Sequence, residues 1–535
     1  MIAGDGADIR ALIDAASPIE PTPVDLRDAS LTQREALLLV CDEAAVWRSL
    51  EGEPYASVPV GSHTEHHAVN SRAFRNWMLH RLAQRFLQSG RPASANENAI
   101  REARAMVEAR AMLCGTVHRT ALRSIRSGDA IYIDLGTSDW SIVKVDSDGW
   151  SVVPSAPAPI LRGKRTAAFA DLNAPADFAP LRTLLEHLDD DTFILFVAWC
   201  LGALLPDGPF PILVLGGEQG SGKSTLARLV QRTTDPVQGD LLQPPGNDRD
   251  LIACARSNRV LSFDNLSGIS AELADSLCRL STGSEIGGRA LFSDHDLASF
   301  SACRPLVING IPDLAARGDL ADRAIVLRLP PLQGRRTEAD WRAAVEGALP
   351  STFAALLDAL SCGLARIGNV PTPNVRMADF ARFVVASEPA LPWAPGAFLQ
   401  ALLHARQHSS VALAEGDSVA GAVREFLEVD GPFWSGLVSE LHGILTTRNV
   451  AKLNRPQDWP GNARWFGDRL RRAAATLRAT GIEIAERRTS SGTTVTLRRV
   501  APPAPPAPRA PRSDIDDADG ADGANAAMEA DPWVN

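Results

Sequence analysis

The stretch that decides the fold runs from residue 212 to residue 225 and reads Ile-Leu-Val-Leu-Gly-Gly-Glu-Gln-Gly-Ser-Gly-Lys-Ser-Thr. Its four apolar residues, Ile212 to Leu215, predict a buried strand, and the residues from Thr225 to Arg232 have a helical pattern. Between them stands GxxxxGK[ST], the pattern of a loop whose backbone amides surround phosphate groups. A strand, this loop and a helix in that order predict an α/β unit with a parallel sheet.

The loop motif predicts a role for each of its residues. The backbone amides and the helix N-terminus would bind the phosphates, the Lys223 ammonium would reach the β and γ phosphates, and the Ser224 hydroxyl would ligate Mg²⁺. The predicted cofactors are therefore ATP and Mg²⁺. The expected nucleotide-binding residues are Gly217, Glu218, Gln219, Gly220, Ser221, Gly222, Lys223, Ser224 and Thr225.

Two further apolar segments end in polar residues. Val260 to Phe263 leads into Asp264, which we expect to hold Mg²⁺ together with Ser224, directly or through water. The strand Pro305 to Ile308 leads into Asn309, which can orient a water beside the γ phosphate. Asn309 followed by glycine is equally typical of a plain turn, so both interpretations stay open.

These motifs lie within residues 209 to 330, and their spacing resembles the superfamily III helicases, more closely the helicase part of phage and poxvirus-type primase-helicases. The resemblance implies a P-loop ATPase that moves on DNA as a ring, a hexamer in the usual case. It implies that Arg289 starts a hairpin lining a DNA channel and that Arg323 reaches the neighbouring subunit's nucleotide. The expected catalytic residues are Lys223, Asp264, Asn309 and Arg323.

Two departures from the family pattern stand out. Asn265 occupies the position of a second acidic residue, and an amide can position water but cannot accept its proton. The hairpin tip contains Asp294 and Asp296, which are a poor surface for DNA phosphates. Either His295 makes the DNA contact or the hairpin has another role.

The C-terminal region resembles a winged helix-turn-helix. We expect helices over Ser418 to Leu427, Trp434 to Leu445 and Ala463 to Thr480, followed by a hairpin. Residues 462 to 500 hold nine arginines and three acidic residues, a balance of +6 that favours phosphate binding. The expected DNA-binding residues here are Arg464, Arg471, Arg472, Arg487 and Arg488. An arginine-coated protein-interaction module is the alternative, and the nearby Asp468 would neutralise part of the charge.

Five regions are predicted along the chain. They are an N-terminal α+β domain (1–165), the P-loop core with leading helices (166–331), a helical segment (332–412), the winged-helix-like module (413–500) and a disordered acidic tail (501–535). In the first region we expect helices over Ser71 to Leu87 and from Ser94 to Leu113, a three-stranded meander over 131 to 153 and a linker over 154 to 165. It contains no primase motif that we can identify.

The composition of the chain limits the cellular compartment and the kinds of partner that it can have. The 535 residues carry 54 basic and 64 acidic side chains, a net charge of -10 that argues against uniform coating of nucleic acid or membrane. Seven cysteines without CxxC pairs indicate a reducing cytoplasm. The longest apolar run, residues 193 to 205, is too short to span a bilayer. The histidines of 63 to 67 and the pair at 404 and 408 are more typical of a solvated turn and a helix surface than of a metal site.

The predicted function is a cytoplasmic, ATP-driven DNA helicase-like motor in the replication of a phage or mobile element. Its predicted partners are DNA, further copies of the chain and replication proteins, and no membrane is expected. The alternative is a DNA-binding ATP switch with little unwinding, which Asn265 and the acidic hairpin tip favour.

Overall fold

The computed structural model describes residues 31–87, 94–266, 268–289, 297–300, 302–310, 318–332, 334, 336–451, 459–489 and 492–500. The predicted disordered tail and His295 lie outside these ranges.

The first unit is a sheet covered by helices. Its elements are α1 (Gln33–Cys41), β1 (Ala45–Ser49), β2 (Pro54–Val60), β3 (His63–Ala68), α2 (Arg72–Leu87), α3 (Glu97–Cys114) and β4 (Thr116–His118). The strand order is β3-β2-β1-β4, with β4 parallel to β1. Helix α3 begins later than predicted because Asn96, not Ser94, caps it by accepting a hydrogen bond from the Ala99 amide at 2.9 Å.

A second, antiparallel sheet follows. It contains β6 (Ser124–Ser127), β7 (Ala130–Asp134), β8 (Ile142–Asp146) and β9 (Gly149–Val153) in sequential order, while β5 (Ala121–Leu122) pairs with β10 (Ile160–Leu161). The predicted meander is confirmed and has a fourth strand. The predicted linker is partly wrong, since β10 lies within it.

The central unit confirms the predicted α/β class with a parallel sheet. Its elements are α4 (Ala179–Leu184), α5 (Asp190–Ala203), β11 (Ile212–Gly217), α6 (Lys223–Thr234), α7 (Asp248–Ser257), β12 (Leu261–Leu266), α8 (Ala271–Thr282), β13 (Ile286–Arg289), β14 (Leu297–Phe300), β15 (Leu306–Gly310), α9 (Gly318–Asp322) and β16 (Ala324–Leu329). Strands β12, β15, β11 and β16 are neighbours in that order and all parallel.

The two faces of this sheet pack into different cores. Leu213 and Leu215 of β11 face a core that also contains the second sheet, helix α5 and the helices α10 (Glu338–Arg366), α11 (Ala378–Ser387) and α12 (Ala397–Gly416). Ile212 and Val214 face a core with α7, α8 and α9. A parallel strand buried on both faces requires the continuous apolar run seen in the sequence.

Two apolar segments are explained by burial. The run over 193 to 205 forms most of α5, whose residues from Thr192 to Ala203 are all buried. The segment Glu338–Asn369, which includes α10, is long and apolar enough to cross a membrane, but 72 % of its apolar window is buried inside the protein. Core helices have this property, so the segment is weak support for a membrane span.

The C-terminal module has its own apolar core. Its elements are α13 (Ser418–Val429), β17 (Phe433–Leu437), α14 (Val438–Ala451), α15 (Ala463–Ala479), β18 (Ile482–Thr489) and β19 (Gly492–Arg499). The predicted start of the second helix at Trp434 is wrong, because residues 433 to 437 form a strand. Trp434 pairs with Leu497 across that sheet and packs on Phe426, with ring centroids 6.2 Å apart. Tertiary pairing therefore overrides the local helical pattern here.

Candidate nucleotide site

The predicted phosphate loop lies between β11 and α6, at the carboxyl edge of the parallel sheet. Helix α6 begins at Lys223, so its unpaired amides point toward the loop. The loop turns through Gly220 and Gly222, whose φ angles of 86° and 82° are left-handed and favour glycine. The local sequence therefore produces the shape that anion binding by backbone amides requires.

Lys223 and Gly217 hold this loop together. The Lys223 ammonium donates to the carbonyl oxygens of Gly217 and Glu218, at 2.8 and 2.7 Å. A Cβ on Gly217 would lie 2.6 Å from the Ser221 hydroxyl and 2.8 Å from the Leu329 carbonyl oxygen. Glycine is thus required at position 217 by close approach as well as by its φ of 149°.

The two predicted metal ligands are in contact. The Ser224 hydroxyl donates to Asp264 Oδ1 at 2.8 Å, although 40 residues separate them. Asp264 lies in a bulge, because two residues of β12 between Phe263 and Leu266 oppose a single residue of β15. Such a bulge re-aims side chains at strand ends, and here it accompanies the contact with Ser224. A hydroxyl and a carboxylate are the oxygen ligands that Mg²⁺ prefers.

Asn309 lies beside this pair with a free donor. Its side chain is 2 % exposed, and its Oδ1 accepts the Asn265 amide at 2.7 Å. That bond fixes the orientation of the amide group, so Nδ2 faces away from it, and Nδ2 is buried without a hydrogen-bond partner. The Ser221 hydroxyl is likewise buried and unpartnered. Buried orphan polar atoms are rare, and two beside a phosphate loop fit a ligand that accepts hydrogen bonds.

Arg323 does not join the site within one chain. It immediately precedes β16, and its carbonyl oxygen accepts the Ile212 amide at 2.9 Å, at the start of β11. The loop begins at Gly217, five strand residues further along, or about 16 Å at the usual rise. Arg323 therefore lies at the opposite edge of the sheet. Arg289 is the last residue of β13.

Asp235, which directly follows α6, belongs to a buried ion pair that the sequence did not indicate. Asp235 Oδ1 accepts a hydrogen bond from Arg123 Nε at 2.9 Å, and its Oδ2 accepts the amides of Arg259 and Val260 at 3.0 Å each. Arg123 and Asp235 are each 4 % exposed and 112 residues apart. The pair thus connects α6, the second sheet and the start of β12.

The predicted DNA-binding arginines of the C-terminal module differ in whether a carboxylate pairs with them. Arg471 donates to Asp468 at 2.6 Å and lies 3.7 Å from Glu486, so its charge is partly neutralised. The other predicted DNA-binding arginines are exposed and have no ion-pair partner among the described residues; they are Arg464, Arg472, Arg487 and Arg488. Sequence reasoning missed Trp465, which is 64 % exposed beside them. Arg487 and Arg488 lie in β18 and not in the loop of the hairpin.

The histidine groups have protein partners. His63 and His67 each bond to Glu65, at 3.2 and 2.8 Å, and His404 bonds to Asp191 at 2.9 Å. No group of three or more histidine, cysteine or acidic side chains in the described part of the chain is arranged to hold a metal ion.

Two family models match this chain. Residues 180–397 match the actinomycete integrative conjugative element replication protein, AICE_RepA, and residues 419–511 match the AICE RepA C-terminal domain. Together the matches cover 311 of the 535 residues. The chain is a replication protein of the integrative conjugative element type. This confirms the predicted role in replication of a mobile element, while the superfamily III assignment, ATP hydrolysis and ring assembly stay predictions.

Solved structures give weaker likenesses. The NrS-1 C-terminal region is 11 % identical, with 87 % of this chain and 98 % of that chain covered and a TM-score of 0.37. The JCV helicase is 17 % identical, with 39 % and 66 % covered and a TM-score of 0.21. A full-length MCM homolog from Methanopyrus kandleri is 12 % identical, with 64 % and 89 % covered and a TM-score of 0.27. No protein of curated function matches the sequence.

Proposed function

We propose that this replication protein is an ATP-hydrolysing motor of the DNA helicase type. The observation that carries the proposal is the contact of Ser224 with Asp264 beside the phosphate loop, at 2.8 Å, with the free Asn309 amide on the neighbouring strand. A loop for phosphates, two oxygen ligands for a metal and a donor at the adjacent strand end are the parts that nucleoside triphosphate hydrolysis requires.

Each residue has a distinct role in this proposal. The loop amides and Lys223 bind the phosphates of ATP, which is the substrate. Ser224 and Asp264 would hold Mg²⁺, which supplies positive charge to the phosphate oxygens when it is bound. Asn309 Nδ2 donates a hydrogen bond that orients the attacking water or a γ-phosphate oxygen.

The position of Arg323 supports assembly of several copies. Since Arg323 lies about 16 Å along the sheet from its own phosphate loop, it would act on the nucleotide of an adjacent copy. A head-to-tail contact of this kind closes into a ring when the rotation allows it. We therefore propose a ring, with a hexamer as the expected size.

The C-terminal module is proposed as a DNA-binding unit of the winged-helix kind. Helix α15 and strand β18 carry the exposed, unpaired arginines, which suit phosphate contacts. Arg471 is the least suited of the set, because two carboxylates compete for its guanidinium.

A DNA-binding ATP switch is the second candidate, and the geometry of Asn265 favours it. Asn265 is an amide, and Asn309 uses its oxygen to bind the Asn265 backbone. Asp264, which bonds to Ser224, is committed to the proposed metal, and Asn265 stands where the resemblance predicts a second acidic residue. Without a carboxylate at position 265 the attacking water loses the base expected there, so hydrolysis would be slow.

The test is ATP turnover with and without single-stranded DNA, for the full chain and for Lys223→Ala. Lys164→Ala is the matched control, because Lys164 is an exposed lysine in a loop outside the site. DNA-stimulated turnover that Lys223→Ala abolishes supports the motor. Nucleotide binding without turnover refutes the motor and supports the switch.

A second variant separates the two candidates further. Asn265 has a φ of 58°, a conformation that aspartate also adopts, so Asn265→Asp is compatible with the fold. If the missing carboxylate limits hydrolysis, Asn265→Asp raises turnover by roughly 100-fold or more, within the range of general base catalysis. An unchanged or lower rate contradicts that explanation of slow hydrolysis.

A further inference from the structure

A cavity of about 160 Å³ lies between the first sheet and the second sheet, away from the phosphate loop. Thr64 and His66 of β3 form one side, and Trp140, in the loop between β7 and β8, forms another. Asp134 and Ser155 add polar walls. Two separate structural units therefore build this pocket, and none of its residues belongs to the nucleotide site.

Trp140 is held in place before any ligand arrives. Its φ of 57° is rare for a bulky side chain, and such conformations are concentrated at binding sites. The Arg162 guanidinium covers part of the indole, 4.0 Å from the ring centroid. Arg162 is in turn fixed by both carboxylate oxygens of Asp134, at 2.6 and 2.9 Å. The His63 ring also lies nearly parallel to the indole, with the ring centroids 6.4 Å apart, so the Trp140 ring is a rigid wall with neighbours already in place.

His66 presents a neutral imidazole to the pocket. The Trp47 indole donates to Ser57 Oγ at 3.0 Å, and the Ser57 hydroxyl lies 2.8 Å from His66 Nδ1. When that hydroxyl donates to Nδ1, the ring proton sits on Nε2, which has no hydrogen-bond partner among the described residues. Burial lowers the pKa of His66 to about 4, so the imidazole is neutral at physiological pH.

The charges around the pocket are already paired. Asp134 binds Arg162, and Glu65 binds His63 and His67. A phosphate or a free cation would therefore find no unpaired partner there, and a neutral ligand is favoured. The volume is about half of the lower limit for drug-sized ligands, so the ligand is a single small group.

An aromatic wall with donors and acceptors around it suits one chemical class. Unpaired nucleobases stack on aromatic side chains and form hydrogen bonds through their edges. Here the part of the Trp140 indole that Arg162 leaves uncovered would supply the stacking surface, His66 Nε2 would donate in the tautomer described above, and the Thr64 hydroxyl both donates and accepts. A replication protein also meets such bases wherever DNA is single-stranded.

We propose that this pocket binds one unpaired nucleobase, which stacks on Trp140 and directs its edge toward His66 and Thr64. The base belongs to single-stranded DNA or to a free nucleoside, and both share this chemistry. The proposal is independent of ATP hydrolysis, since Lys223→Ala leaves every residue of the pocket in place.

Photocrosslinking of the full chain tests the proposal. One arm uses an oligothymidylate with a single 5-iodouracil base, and the other uses free 5-iododeoxyuridine. Mass spectrometry then identifies the crosslinked residue, which matters because the chain has 11 tryptophans. A crosslink at Trp140 supports the proposal, and the arm that produces it identifies the source of the base. Failure of both arms to label Trp140 overturns it.

Affinity measurements supply the second test. Trp140→Ala removes the stacking surface and should weaken binding of the labelled ligand roughly 5- to 150-fold, whereas Trp140→Phe should retain most of the affinity. Thr64→Val covers the case in which Trp140→Ala does not fold, because Thr64 is an exposed strand residue and valine suits strands. Unchanged affinity in Thr64→Val together with no crosslink at Trp140 refutes the pocket. Lys223→Ala should still crosslink even if the proposed motor activity fails.

Discussion

Replacing Arg123 with methionine should strongly destabilise the central part of the protein. The Arg123 guanidinium donates to Asp235 and to three backbone carbonyl oxygens, those of Asp134, Ala167 and Pro236, at distances of 2.6 to 3.2 Å. Methionine is similar in length but donates no hydrogen bond. The substitution leaves the buried Asp235 carboxylate without its cation and removes the Arg123 hydrogen bond from all three carbonyl groups, of which that of Pro236 keeps the Ala167 amide as a donor.

The magnitude follows from this loss. Removing one partner of a buried ion pair costs about 3–5 kcal/mol, because the remaining charge is buried and unpaired. With a urea m-value of about 2 kcal/mol/M, a loss of about 4 kcal/mol lowers the unfolding midpoint by about 2 M. Urea titration followed by circular dichroism measures this shift. The C-terminal module has a separate core, so its unfolding should not move.

Two further variants serve as controls for Arg123→Met. Arg119→Met removes a pair with Asp207 in which the arginine side chain is 70 % exposed, and it should cost about 0–1 kcal/mol. Adding Asp235→Asn to Arg123→Met should recover part of the stability, because the neutral amide removes the unpaired charge. If Arg123→Met costs no more than Arg119→Met, or if Asp235→Asn recovers nothing, the buried charge is not the cause.

Three further predictions concern packing, pH and DNA. Gly363→Ala should lower the free energy of unfolding by about 1–3 kcal/mol, because the added Cβ would lie 2.7 Å from an aromatic ring atom. Gly347→Ala in the same helix places its Cβ in open space and should raise the free energy of unfolding by about 0.5–1 kcal/mol. Equal effects of the two substitutions in urea titrations would contradict the packing. The pKa of His66 is about 4 in the folded chain and 6.5 in the unfolded chain, so only the unfolded chain gains a proton between these two pH values. The free energy of unfolding should therefore fall by up to about 1.4 kcal/mol per pH unit as the pH drops from 6.5 to 5. His66→Gln should reduce this slope. Arg487→Ala should weaken DNA binding and reduce its salt dependence by about one counterion. Arg498→Ala should do neither, because Arg498 is already paired with Glu483 at 2.7 Å. Titrations of DNA affinity against salt concentration measure both effects.

The closeness of Ser224 and Asp264 in the candidate nucleotide site was predictable, because both lie near the carboxyl edge of the parallel sheet. Parallel strands bring their carboxyl ends to one edge, so an apolar run that ends in Asp264 could be placed opposite Ser224. The bulge at Asp264 and the orientation of Asn309 were not predictable, since both depend on the register between β12 and β15. The same holds for Phe433–Leu437, whose strand exists because β19 pairs with it.

By itself, the sequence determined the strand, loop and helix around Lys223, because backbone conformation there depends on glycines and apolar residues that are adjacent in the chain. It also determined the parallel α/β class through its doubly buried strands. Only the tertiary structure decided which charges are paired. Arg123 meets Asp235 across 112 residues, and Arg498 is opposite Glu483 while Arg487 has no carboxylate opposite it. Ion pairing and pocket formation depend on distances between distant segments, which the order of residues does not reveal.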